Sequence, residues 1–108
     1  MKIENIKLVK DVIEKDIKLP YYGWWSHKKE ECIKIDYDNE LKPKQINYVI
    51  ATNGFGIRTS IYGDYIPITN DVVDKEINQL LLDYDTEATE QEFDEFKLRT
   101  INKLNLFI

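Results

Sequence analysis

Residues 46–62, Ile46-Asn47-Tyr48-Val49-Ile50-Ala51-Thr52-Asn53-Gly54-Phe55-Gly56-Ile57-Arg58-Thr59-Ser60-Ile61-Tyr62, read as two strands joined by a tight connection. Runs 46–52 and 57–62 are rich in β-branched and aromatic residues, which fit an extended, half-buried backbone. Between them, Asn53-Gly54-Phe55-Gly56 supplies two glycines suited to the positive φ that a hairpin turn demands. A hairpin at the centre of the chain commits the fold to an antiparallel sheet, and the flanking segments must extend it or cover it.

Upstream, Ile33, Ile35 and Tyr37 alternate with Cys32, Lys34 and Asp36, the period-two pattern of a strand with one buried face. Residues 38–44, with Pro43, read as a loop. Tyr21-Tyr22-Gly23-Trp24-Trp25 is the most aromatic stretch, and the polar run Ser26 to Glu31 after it predicts a turn. Downstream, Gly63-Asp64 is expected to turn the chain into Tyr65-Ile66-Pro67-Ile68, where Pro67, lacking an amide proton, confines its strand to an edge or a bulge.

At the N-terminal end, Ile6, Val9, Ile13 and Ile17 recur at spacings of three and four, which predicts a helix over about residues 4–17. A rival reading pairs residues 6–12 with 17–22 as strands, and Pro20 closes any helix. Thr69, Asn70 and Asp71 are good helix caps, and Val73, Ile77, Leu80, Leu81 and Tyr84 form an apolar stripe, predicting a helix over 71–83. A capping box of Thr89 and Glu92 opens a second helix with Phe93, Phe96, Thr100, Ile101 and Leu104 inward. The apolar Leu106-Phe107-Ile108 is expected to dock on the sheet or on a second copy of the chain. The expected fold is a single α+β domain over residues 1–108. It has an antiparallel sheet of three to five strands, an N-terminal helix, and two C-terminal helices packed on one face.

The 108 residues suit one domain. A net charge of −5 works against general nucleic-acid binding, which depends on clustered Lys and Arg. The basic residues are 13 Lys and 2 Arg, with only two Ala in the chain, a bias associated with AT-rich coding sequence and so with a bacterial or phage source. No apolar run approaches the roughly 20 residues of a membrane span. Met1-Lys2-Ile3-Glu4 opens a polar segment rather than a signal peptide, so a cytoplasmic location is expected. The lone Cys32 is in keeping with a reducing compartment.

Motifs for catalysis or metal binding fail at named positions. Asp36-Tyr37-Asp38-Asn39-Glu40 resembles the start of an EF-hand loop, but Leu41 stands where that loop requires Gly and Asn47 where it requires Glu. Asp83-Tyr84-Asp85-Thr86-Glu87, after Leu80-Leu81-Leu82, resembles the DxDxT signature of haloacid-dehalogenase-like phosphotransferases, with its Thr one position too early. One His and one Cys, His27 and Cys32, exclude a zinc site within the chain, and no phosphate-binding loop or nucleophile elbow appears. No catalytic residue, metal ligand or cofactor is assigned.

Aromatic side chains carry the remaining functional signal, because Trp and Tyr dominate interface hot spots. The candidate binding residues are Tyr21, Tyr22, Trp24, Trp25 and Phe55. Adjacent Trp residues on a strand point to opposite faces, so one of Trp24 and Trp25 is expected inside and the other outside. Leu19-Pro20-Tyr21-Tyr22-Gly23 is similar to a short turn of barstar-like ribonuclease inhibitors, which continue into a helix where this chain has Trp24-Trp25-Ser26-His27-Lys28. The expected function is a non-enzymatic module of bacterial or phage origin that binds a basic protein, as inhibitors, immunity proteins and anti-defence proteins do. Two alternatives stand beside it. One is a structural or assembly protein of a phage or mobile element that self-associates through its C-terminal tail. The other is a small-ligand or metal-dependent site built on carboxylates.

Overall fold

The computed structural model describes residues 5–10, 13–25, 28–38, 45–53, 59–67 and 75–105. The expectations at Phe55, at residues 39–44 and 71–74, and for the tail 106–108 lie outside them. The elements in order are β1 (Asn5–Lys10), β2 (Ile13–Lys18), β3 (Tyr21–Trp25), β4 (Lys28–Asp38), β5 (Gln45–Asn53), β6 (Thr59–Pro67), α1 (Lys75–Asp83), β7 (Thr86–Glu87) and α2 (Glu90–Asn105). Five antiparallel strands form the main sheet in the order β6-β5-β4-β3-β7, and β1 and β2 form a second sheet of two.

This corrects the expected fold class in two respects. The N-terminal segment is a hairpin, with Ile6 opposite Ile17 and Val9 opposite Glu14. A helix built on the spacing of Ile6, Val9, Ile13 and Ile17 would put Leu8 on the opposite side of its cylinder, in water. The hairpin instead packs Leu8 with Ile6 and Ile17 against the core. On its outer face Lys7 pairs with Glu14 at 3.4 Å, an exposed ion pair of little consequence for stability. The described residues are therefore mostly strand, with their helices in the last third of the chain.

The second correction concerns the helices, which lie on opposite faces of the sheet rather than together on one. Register decides which side chains share a face: Ile33 pairs with Ile50, Tyr37 with Ile46, and Ile46 with Ile66. These residues pack with Ile77, Leu81 and Tyr84 and with Ile17 and Leu19, so the hairpin and α1 together cover this side. The alternate residues Cys32 and Ala51, with Tyr22 and Trp24 of β3, pack with Ala88, Phe93 and Phe96 beneath α2. Both faces of the central strands are apolar, and each requires its own cover, giving three layers. Each fully buried large side chain in these layers contributes roughly 1.5–3 kcal/mol relative to exposure.

Gly63-Asp64 does not turn the chain. β6 runs through it as one strand at the edge of the sheet, paired to β5 from Asn53 opposite Thr59 to Gln45 opposite Pro67. The glycine answers to a close approach, since a Cβ at Gly63 would stand 2.5 Å from the Tyr48 carbonyl oxygen. Pro67 closes this edge strand. No helix among the described residues is long and apolar enough to cross a membrane.

Candidate functional site

The aromatic stretch forms β3, between β4 and the two-residue β7. Strand alternation separates its side chains. Tyr22 and Trp24 turn under α2, where Tyr22 meets Phe93 at 5.7 Å and Trp24 meets Phe96 edge-on at 5.1 Å. Trp24 is only 4% exposed, whereas Trp25 is 37% exposed. Two residues with one chemistry thus have different situations, Trp24 in the core and Trp25 at the surface. The Trp24 indole N–H is buried without an acceptor among the described residues.

Trp25 leaves the regular ladder. The β3–β4 register shifts between Trp24, opposite Cys32, and Trp25, opposite Lys28, so β4 carries extra residues here. Such an irregularity re-aims side chains at a strand end. The ring of Trp25 meets Tyr84 in a T-shaped contact at 5.2 Å, a geometry worth about 0.5–1.5 kcal/mol beyond area burial.

Tyr84, buried where α1 ends, organises this surface in three ways. Its ring supports Trp25, its carbonyl accepts a hydrogen bond from the Tyr21 hydroxyl, and its own hydroxyl donates to Glu31 Oε2 at 2.8 Å. Gly23 makes the approach possible, because a Cβ there would collide with the Tyr84 carbonyl. Burial, and then the hydrogen bond to Glu31, pushes the Tyr84 phenol far above its ordinary value, so it remains a donor throughout the physiological range. Burial, reinforced by Glu87 and Asp85, pushes Tyr21 up to about 12.

Tyr62, on edge strand β6, is a further exposed aromatic that the expected binding residues do not include. It is 51% exposed. Its phenol is raised by partial burial and then by Glu31. Sequence reading passed over Tyr62 because it assigned this run to the hairpin and weighed only the loop tip for binding. Its alternation with Ile61 on an edge strand is the signal that marks it as surface-facing.

The remaining candidates for chemistry are dispersed. Cys32 is fully buried, and burial followed by the nearby Glu92 pushes its thiol up to about 12, the opposite of a reactive cysteine. Asp36 acts on Tyr22 on the α2 side, while Asp85 and Glu87 act on Tyr21 across the sheet. Among the described residues no three His, Cys, Asp or Glu side chains gather as a metal site. A groove of about 370 Å³ between β1 and α1 is lined, among the described residues, by Val9, Lys75, Asn78 and Gln79, with no carboxylate among them for acid–base chemistry.

Fold and surface together define a β-rich three-layer domain with exposed aromatics on β3 and β6. The chain matches no known protein family, and no curated protein and no solved structure matches it.

Proposed function

We propose that this chain is a non-enzymatic protein-binding module that engages a basic partner in the cytoplasm, in the manner of bacterial or phage inhibitors, immunity proteins and anti-defence proteins. The observation that carries this reading is the exposed Trp25 held by Tyr84, with Tyr62 exposed on β6, on a chain of net charge −5. Excess negative charge speeds encounter with a basic surface, and an anchored aromatic supplies affinity once docked. Trp25 is preorganised by Tyr84, which lowers the entropy lost when a partner covers it.

Affinity capture from a lysate of the source organism or its host, comparing the wild type with Trp25→Ala, tests this. A basic protein held by the wild type, released by raised salt and lost with Trp25→Ala is expected. Identical capture by both chains would overturn the reading.

Leu98 and Ile101, exposed on the outer side of α2, favour a second reading, self-association as an assembly protein. Sedimentation at high concentration decides it. An oligomer dispersed by Leu98→Glu supports assembly, and a monomer throughout removes it.

A further inference from the structure

The edges of the two sheets are protected unequally. Native sheets blunt an open edge by keeping it short, charging it or capping it, because its unpaired backbone groups otherwise recruit another strand. Among the described residues, β7 is two residues long, β2 carries Glu14, Lys15, Asp16 and Lys18, and Asn78 caps β1 at Val9. The edge strand β6 instead spans nine residues, Thr59–Pro67, with Asp64 as its single charge. Backbone groups alternate sides along a strand. The Tyr48 carbonyl of β5 points at β6 beside Gly63, opposite Asp64, so Asp64 and every second residue turn toward β5. The Tyr65 amide turns outward and donates at 2.8 Å to the Asp64 Oδ1. Ile61 and Gly63 share its side. Gly63 is exposed, and a glycine has only backbone to expose, so the middle of this edge is open to solvent.

We propose that two copies of this chain pair edge to edge through β6, antiparallel about a two-fold axis at Gly63, to make one continuous sheet across the dimer. Gly63 is the midpoint of Thr59–Pro67, so this axis overlaps the strand along its whole length and brings no side chains together at its centre. Outward residues then meet outward residues, as hydrogen-bonded pairs require. Ile61 of one copy exchanges both backbone bonds with Tyr65 of the other, and Gly63 with Gly63. Each Tyr65 ring, 54% exposed in the single chain, lies against Ile61 of the other copy, a cross-strand pair of an aromatic with a β-branched residue. Pro67, with no amide to offer, closes the ladder at either end. Asp64 restrains the association, because its carboxylate holds the Tyr65 amide that the second strand needs and faces its own symmetry mate across the axis. The inference goes beyond the basic-partner reading and does not rest on it, since Trp25 on β3 is separated from this edge by β4 and β5.

The test follows the full chain by sedimentation equilibrium and amide hydrogen exchange over rising concentration. A monomer–dimer equilibrium is expected in which the Ile61 and Gly63 amides gain protection with concentration, while those of Tyr62 and Asp64, turned to β5, keep theirs. Tyr65→Pro removes an outward amide and leaves the ladder to β5 whole, as Pro67 does, and the association constant should fall about tenfold or more. Tyr65→Ala keeps the amide and should lose less. Asp64→Asn, which leaves the backbone intact and removes the repulsion, should strengthen the dimer roughly threefold, so the inference stays testable if the proline variant does not fold. A chain that is monomeric at every concentration, in the wild type and in Asp64→Asn, would overturn the pairing. So would a dimer whose formation leaves the Ile61 and Gly63 amides unprotected, or one dispersed by Leu98→Glu and untouched by Tyr65→Pro, which would put the contact on α2.

Discussion

Gly23 shows how much can depend on one missing Cβ. The Tyr84 carbonyl lies directly over it, and the Tyr21 hydroxyl would stand 2.8 Å from any Cβ placed there. Gly23→Ala must push Tyr84 off β3, and Tyr84 also supports Trp25 and fixes Glu31. The expected cost is about 2–3 kcal/mol, as for overpacking in a tight core. Chemical denaturation measures it, and an unchanged midpoint would mean that the Tyr84 carbonyl moves aside freely. The stripe that predicted α1 marked Tyr84 as buried, and it is. Its polar contacts were not legible, because Glu31 is 53 residues away and Tyr21 is 63, and periodicity reports only neighbours on one element. For the same reason the sequence separated Trp24 from Trp25 by alternation without saying which went inside.

Among elements, local signals survived and tertiary ones did not. The capping box formed as read, with the Glu92 amide donating to Thr89 Oγ1 at 3.1 Å and the Thr89 amide donating to Glu92 Oε1 at 3.1 Å. Its partners are three residues apart, so spacing alone specifies it. The spacing of three and four favours a helix where β1 and β2 form a hairpin, nearer the rival pairing of strands, because such a spacing also occurs by chance in an Ile-rich segment. What decided it was cover for the sheet, along with a contact no local pattern reveals: Asn78 on α1. Its side chain accepts from the Val9 amide at 2.6 Å and donates to the Val9 carbonyl at 3.0 Å, capping the outer edge of β1 as another strand would. Asn78→Ala leaves both backbone groups without this partner, and a loss of about 2 kcal/mol is expected. Hydrogen exchange should localise the change to Val9 and its neighbours in the hairpin, leaving β4 and β5 protected. Slow exchange at Val9 in the variant would show that the hairpin is held by its apolar contacts alone.

For the whole molecule, buried ionisable groups set an alkaline limit. Cys32 is raised from 9.0 to about 12, Tyr21 from 10.0 to about 12, and Tyr84 is raised as well, each chiefly by burial. In the unfolded chain these groups lose their protons first, so above the unfolded values the folded state binds more protons and stability falls as pH rises. Their contribution is complete below about pH 9 and declines from there through about pH 12. Thermal midpoints measured from pH 7 to 11 should be level at first and then drop steadily. A flat profile to pH 11 would contradict the buried phenols. At this scale the composition gave a sound reading of charge, while the three-layer arrangement escaped it. Alternation on β4 showed one apolar face, and the second became apparent only once β3 and β5 brought Trp24 and Ala51 alongside Cys32.

The placement of the covering layers along the chain also matters while the protein is being made. Synthesis delivers the hairpin first, then β3 to β6, and α2 last among the described elements. The face holding Tyr22, Trp24, Cys32 and Ala51 is therefore assembled before the helix that shields it leaves the ribosome. A nascent chain paused before Glu90 presents these side chains uncovered, as a surface to which a chaperone, or another nascent copy, can adhere.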